Sequence, residues 1–261
     1  MTKRRIEGSR AIVTGASSGI GRALAVELAR AGARQVLVAR REDRLRRLAA
    51  EIASAGGRVE TVAGDVTDAK VRQKAIDAVT SAFGGLDVLV NNAGVGAMGL
   101  FEEADPQRVR RVMEVNFFAL VEMVRLALPL LQRGTAPIIV NVSSILGHRG
   151  VPCSSEYSAS KFAVQGFSES IRAELSRHGV DVLVVSPGTT ETEFFDSVIE
   201  KTGAPKWPEH KPVSAAYVAR QTVRAIRNGR HEIIPYNWGK VLCWLNRLSP
   251  TMIDRLMARY V

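Results

Sequence analysis

What most constrains this chain is an alternation. Short β-branched runs are separated by longer amphipathic stretches. The runs are RAIVT (Arg10–Thr14), RQVLVA (Arg34–Ala39), RVETVA (Arg58–Ala63), LDVLV (Leu86–Val90), PIIVNV (Pro137–Val142) and VDVLVV (Val180–Val185), with HEIIP (His231–Pro235) as a seventh. Several are apolar almost throughout, as strands covered on both faces must be. Helical patterns fill the gaps at Ile20–Ala31, Glu42–Ala55 and Ala69–Phe83, and Pro106–Leu131 reads as one long helix or two joined ones. Pro106 suits a first helical position, and Pro129 predicts a kink or a late stop. Such alternation predicts an α/β fold with a parallel sheet of about seven strands and helices on both faces. No linker, repeat or low-complexity tract interrupts it, so residues 1–261 are expected to form one domain.

The net charge of +10 raises the question of a nucleic-acid or membrane partner. The arginines are scattered among acids, however, as in RREDRLRRL (Arg40–Leu48), and no basic–aromatic platform exists, so nucleic acid is not expected. Cys153 and Cys243 lack paired spacing, and His148, His178, His210 and His231 lie far apart, which argues against disulfide or metal chemistry. No apolar core follows the basic N-terminus MTKRRIEGSR, and no run is long enough to span a bilayer. A cytoplasmic protein is expected.

The turn after the first strand reads VTGASSGIGRALA. Gly15, Gly19 and Gly21 let the backbone approach a ligand, and the following helix start favours a diphosphate. In a doubly wound, Rossmann-type sheet this is the dinucleotide-binding turn, with Ser17, Ser18 and Ile20 beside the glycines. At the tip of the second strand, LVARRED places Arg40 and Arg41 where an acid would read a free ribose hydroxyl. Guanidinium groups pair with phosphate, so NADP(H) is favoured, with NAD(H) second. After the third strand Asp65 can accept from the adenine amino group with Val66 beside it, whereas Asp68 reads as a helix N-cap. NNAG closes the fourth strand: Asn92 can brace neighbouring strands, while Ala93 and Gly94 admit the ribose.

A second group stands further on. Ser144 ends the fifth strand. Tyr157 follows thirteen positions later, and Lys161 lies four beyond it on the same helical face. A free tyrosine is a poor acid or base at neutrality, and a neighbouring ammonium plus a positive nicotinamide would lower its pKa. The phenol could then exchange a proton with a substrate oxygen held by Ser144, while Lys161 could bridge to the nicotinamide ribose.

Together these residues resemble the short-chain dehydrogenase/reductase family, over about Ser9 to Ile234. The shared motifs are the TGASSGIG turn, NNAG, Ser144 and Tyr157-Ser-Ala-Ser-Lys161. The resemblance implies a fourth catalytic residue, Asn116 in MEVNFFAL, holding a water that links Lys161 to solvent. It also implies that Pro187, Gly188, Thr190 and Thr192 orient the nicotinamide carboxamide, and that homodimers or homotetramers form. Thr190 stands where many members carry valine or isoleucine. Ser18 stands where NADP-preferring members often carry a basic residue, which leaves Arg40 and Arg41 as the phosphate readers.

Residues 190–214 are expected to form a substrate-side flap, made apolar by Phe194, Phe195, Val198, Ile199 and Trp207. A moderately hydrophobic carbonyl or alcohol follows as substrate. Residues 237–261 form an amphipathic extension with Val241, Leu242, Trp244, Leu245 and Leu248 on one face. It could touch an anionic membrane, seal a subunit interface or roof the site. The reading is a ketone or aldehyde reductase. Its competitors are a dinucleotide-binding regulator without turnover and a membrane-associated adaptor.

Overall fold

The computed structural model describes residues 3–196, 198–199 and 211–260. The first half runs β1 (Arg10–Thr14), α1 (Gly19–Arg30), β2 (Arg34–Ala39), α2 (Glu42–Ser54), β3 (Arg58–Ala63), α3 (Ala69–Phe83) and β4 (Val88–Asn91). There follow α4 (Arg108–Met113), α5 (Ala119–Leu131), β5 (Ile138–Val142), α6 (Ser155–Ser176) and β6 (Asp181–Val185). A short β7 (Thr190–Glu191) and β8 (Val213–Ser214) pair with each other, and α7 (Ala215–Arg227), β9 (Glu232–Ile233), α8 (Asn237–Leu248) and α9 (Pro250–Met257) complete the order.

Seven strands form one sheet in the order β3-β2-β1-β4-β5-β6-β9, every pairing parallel. Successive side chains on a strand point to opposite faces. On β1, Ala11 and Val13 therefore join a core with α1, α2 and α7, while Ile12 joins a second core with α3, α5 and α6. This two-sided burial is why the inner strands are mostly apolar without alternation, while edge strand β3 is largely exposed.

The stretch read as one or two helices is continuous but uneven. A π-helical turn, Glu114–Phe118, joins α4 to α5. The helix begins at Arg108 rather than Pro106, because Asp105 organises the entry: its side chain accepts from Gln107 N and its carbonyl from Arg108 N. Pro129 lies inside α5, two residues before its end, and so acts as the late stop. Asp68 caps α3 by accepting from Lys70 N.

Of the expected flap, residues 197 and 200–210, including Trp207, lie outside the described residues. The extension packs behind the loop after β5. Gly239 sits where a β-carbon would meet Ile145, Arg149 donates to Asn246 and Asp254, and Cys243, Ile253 and Met257 are buried.

Candidate active site

The sheet order reverses between β1 and β4. The helix after β1 packs on one face and the helices after β4 on the other, so the two loops part and leave a crevice at the strands' carboxyl ends. A cleft of about 370 Å³ opens there, within the usual range for a ligand site. Ser17, Ser18, Gly19 and Ile20 face it with Gly15, and Arg40 and Arg41 enter from the end of β2. Asp65 and Val66 come from β3, and Asn92, Ala93 and Gly94 from β4. Ser144, Tyr157 and Lys161 line it further along with Pro187, Gly188 and Thr190, and Thr192 stands against Gly19 of the turn.

Two of the expected residues do not line it. A β-carbon on Gly21 would lie 2.2 Å from Gly15 O and 2.4 Å from Asn92 Nδ2, so Gly21 is needed for packing beneath the turn. Asn92 Nδ2 donates to Thr14 O and Gly15 O at 3.0 and 3.2 Å and so locks β4 to the turn. Asn116, 1% exposed, sits in the π turn. Its Oδ1 accepts from Val95 N at 2.8 Å, and its Nδ2 donates to Val95 O and to Ser160 Oγ. Asn116 therefore staples the NNAG loop to α6 one residue before Lys161, with no direct bond to Lys161 itself.

A dinucleotide fits the donor set of the turn. The N-cap of α1, Ser18, makes no side-chain cap bond, and no acid occupies the first turn. A helix start of that kind is suited to an external anion.

Further along the cleft, the Ser144 hydroxyl lies close enough to Tyr157 to favour the phenolate, and Ser144 Oγ accepts from Leu146 N at 3.1 Å. Lys161 is 4% exposed; its Nζ donates to Val142 O at 3.0 Å and lies 5.6 Å from the Tyr157 ring centre. The expected lowering of the tyrosine does not come from the protein alone. Burial pushes Tyr157 up to about 12, against a smaller opposing effect of the Ser144 hydroxyl, and burial pulls Lys161 down to about 8. Among the described residues neither charged form has an ionic partner, and each suffers desolvation. A positive nicotinamide over the site would supply the missing field.

Two ion pairs escaped the sequence reading, Arg108 with Glu156 and Arg44 with Glu193. Arg108 is fully buried and pairs with Glu156, beside Tyr157, at 2.8 Å. Its sign was an arginine four residues before buried Val112, on an apolar helix face. Arg41 donates to Ser18 Oγ at 2.6 Å and to Glu193 at 2.9 Å. Arg44, one turn along α2, donates to both Glu193 oxygens at 2.7 and 2.6 Å. The spacing of Arg41 and Arg44 could have revealed Arg44; nothing local could have revealed Glu193. Arg40 is mostly exposed, with Asp65 3.9 Å away. Asp65 Oδ1 accepts from Thr67 N and Oγ1.

The short chain dehydrogenase family model matches residues 9–203. An Arabidopsis thaliana relative, 11-beta-hydroxysteroid dehydrogenase-like 4A, is 37% identical over 254 residues, spanning 95% of this chain and 83% of its own. A short chain dehydrogenase/reductase from Burkholderia phymatum, crystallised with NAD, superposes with a TM-score of 0.86 at 28% identity, covering 94% of each chain. One from Burkholderia cenocepacia J2315, crystallised with NADP, gives 0.78 at 28% identity, covering 88% of this chain and 97% of its own.

Proposed function

This chain belongs to the short-chain dehydrogenase family and is an NAD(P)-dependent oxidoreductase, and we propose that it uses NADP(H) to reduce a moderately hydrophobic ketone or aldehyde to the alcohol. The observation that carries the reading is the convergence of Ser144, Tyr157 and Lys161 on the same crevice as the glycine turn. The nicotinamide supplies the hydride when bound. Tyr157 delivers the proton from its hydroxyl to the oxygen of the carbonyl being reduced, and Ser144 holds that oxygen by its hydroxyl. Lys161 lends positive charge to the phenolate that Tyr157 leaves behind and is itself close to losing a proton. Asn116 holds the Val95 backbone and the Ser160 hydroxyl, and a water-mediated link from Lys161 to solvent belongs to this reading.

The cofactor-binding set is Gly15, Ser17, Ser18, Gly19, Ile20, Asp65, Val66, Asn92, Ala93, Gly94, Pro187, Gly188, Thr190 and Thr192, with Arg40 and Arg41 reading the 2′-phosphate. Phe194 packs beside Tyr157 with ring centres 5.5 Å apart and planes tilted by 58°, which supports an apolar substrate, as does the likeness to a hydroxysteroid dehydrogenase-like relative. Titrating the protein with NADPH and with NADH at matched salt, following nicotinamide fluorescence, tests the cofactor assignment. Tighter NADPH binding is expected, and equal or NADH-favoured binding would refute it. A panel of hydrophobic ketones with NADPH then tests the reaction.

Assembly as a homodimer or homotetramer goes with this reading. The half-exposed rings of Phe118 and Phe162, on adjoining helices, supply an apolar contact for it. Peripheral membrane contact is favoured by a separate observation. Val241, Trp244 and Leu248 are exposed along one face of α8, with Met252 and Leu256 following on α9 and Lys240, Arg247 and Arg255 exposed nearby. Among the described residues none of this extension lines the cleft, so a Trp244→Ser variant should lose co-sedimentation with phosphatidylserine vesicles.

A further inference from the structure

At the rim of the cleft two cations share one carboxylate. Arg41 is the N-cap of α2 and Arg44 lies in its first turn, so the two guanidinium groups rise from the same side of the helix. Arg41 is held against the glycine turn by Ser18 Oγ at 2.6 Å, and Arg44 grips Glu193 through both carboxylate oxygens. Glu193 follows Thr192, which stands against Gly19 of the turn, and lies 149 positions away from Arg44 in the chain. Both guanidinium groups hold the Glu193 carboxyl below its ordinary range.

We infer that Glu193 is the resident anion of the 2′-phosphate subsite: it occupies Arg41 and Arg44 before the cofactor binds, yields them when the phosphate enters, and so sets how strongly NADP(H) is preferred over NAD(H). This rests on the NADP(H) reading above. A carboxylate brings one negative charge to two guanidinium groups, whereas a phosphate monoester brings close to two and three acceptor oxygens. The exchange therefore improves charge balance. It also costs little, because the Arg41, Arg44 and Glu193 side chains are 41%, 36% and 48% exposed, and ion pairs in such settings are weak. NAD(H) has no group to displace Glu193, so its binding leaves the pairs in place.

Glu193 opens the same short turn, Glu193–Asp196, that carries Phe194 against Tyr157. Turnover would mix two effects, so equilibrium binding is the readout. Dissociation constants for NADPH and NADH would be measured by nicotinamide fluorescence, and those for 2′,5′-ADP and 5′-AMP by competition. The proteins are wild type, Glu193→Gln, Arg41→Gln and Arg44→Gln. Glu193→Gln should tighten NADPH and 2′,5′-ADP by roughly fivefold, the scale set by exposed ion pairs. NADH and 5′-AMP should stay within about twofold, and Arg44→Gln should weaken NADPH. If both arginine variants weaken NADPH while Glu193→Gln tightens nothing, the competing anion is refuted and the NADP(H) reading stands. If wild type shows no NADPH preference and neither arginine matters, both fall together. Weaker NADH binding by Glu193→Gln would assign the carboxylate to ribose hydroxyls and overturn the inference.

Discussion

At the amino end of the strands, Asp87 accepts from Arg10 through its backbone N, Nε and Nη2 at 2.9, 2.8 and 2.6 Å, and from Thr135 N at 2.7 Å. At the carboxyl end of the same sheet, Lys161 Nζ has one acceptor among the described residues, the Val142 carbonyl. Both groups are buried. The first is saturated by fixed partners, and its carboxyl stays below the ordinary range although burial opposes this. The second is desolvated with no counter-charge, and its pKa collapses toward neutrality. Saturation holds a fold together. A buried charge left short of partners is what a ligand can complete.

The sharpest way to break this contrast is to remove one atom at the under-partnered end. Tyr157→Phe keeps the ring packed near Phe194 and deletes the hydroxyl. A fall in kcat of about 10²–10⁴-fold is expected, the span for a positioned acid or base, with thermal stability unchanged. Asp87→Asn should do the reverse. It leaves Arg10 poorly compensated, so about 3 kcal/mol of stability is lost in denaturant unfolding, while kcat per folded molecule is retained. A large activity loss in Asp87→Asn with normal folding would erase the distinction between the two ends.

Arg108 tests the boundary between these classes. Its pair with Glu156 is as buried as the one at the floor, yet it adjoins Tyr157. Arg108→Met should cost about 3 kcal/mol of stability, as at Asp87. It should also reduce kcat in the surviving folded protein, because Glu156 begins the turn of α6 that aims the phenol. A double-mutant cycle with Glu156→Gln separates the shared pair from each residue's own contribution. Stability loss without any change in kcat would place Arg108 with the floor pairs.

The contrast also explains what could be read from the sequence. β1 and β2 have the bounds their β-branched runs suggest, because double-sided burial writes itself into composition; edge strand β3, mostly exposed, has the expected bounds through its β-branched residues and its pairing with β2. β4 starts at Val88 rather than Leu86, although Asp87 N still donates to Arg10 O and Asp87 O accepts from Ile138 N just before it. The glycine turn and the Ser144, Tyr157 and Lys161 group were legible because backbone approach and helical spacing are local requirements. The π turn at Asn116 was not, because one extra residue per turn barely shifts an apolar period. Arg108–Glu156 and Arg44–Glu193 were not either. Such pairs form across 48 and 149 positions, and only the closed fold decides which charges meet.

Lys161 gives the smallest and most specific test. In the folded, cofactor-free protein its ammonium is depressed to about 8 from an ordinary 10.5. Between those values the unfolded chain holds a proton that the folded chain has released. Stability therefore rises with pH across that window, because the unfolded state binds more protons. Tyr157, raised to about 12, acts in the opposite sense but only above pH 10, where its unfolded counterpart begins to ionise. Measurements at about pH 7 and about pH 9.5 thus isolate the lysine. Denaturant unfolding of wild type and Lys161→Met should differ in slope, with wild type gaining about 2 kcal/mol relative to the variant between the two pH values. On the proposed reading the cofactor contacts Lys161, so saturating cofactor should change that gain. Equal slopes without cofactor would mean that Lys161 keeps an ordinary pKa, and that the carboxyl end of the sheet is as well compensated as the floor.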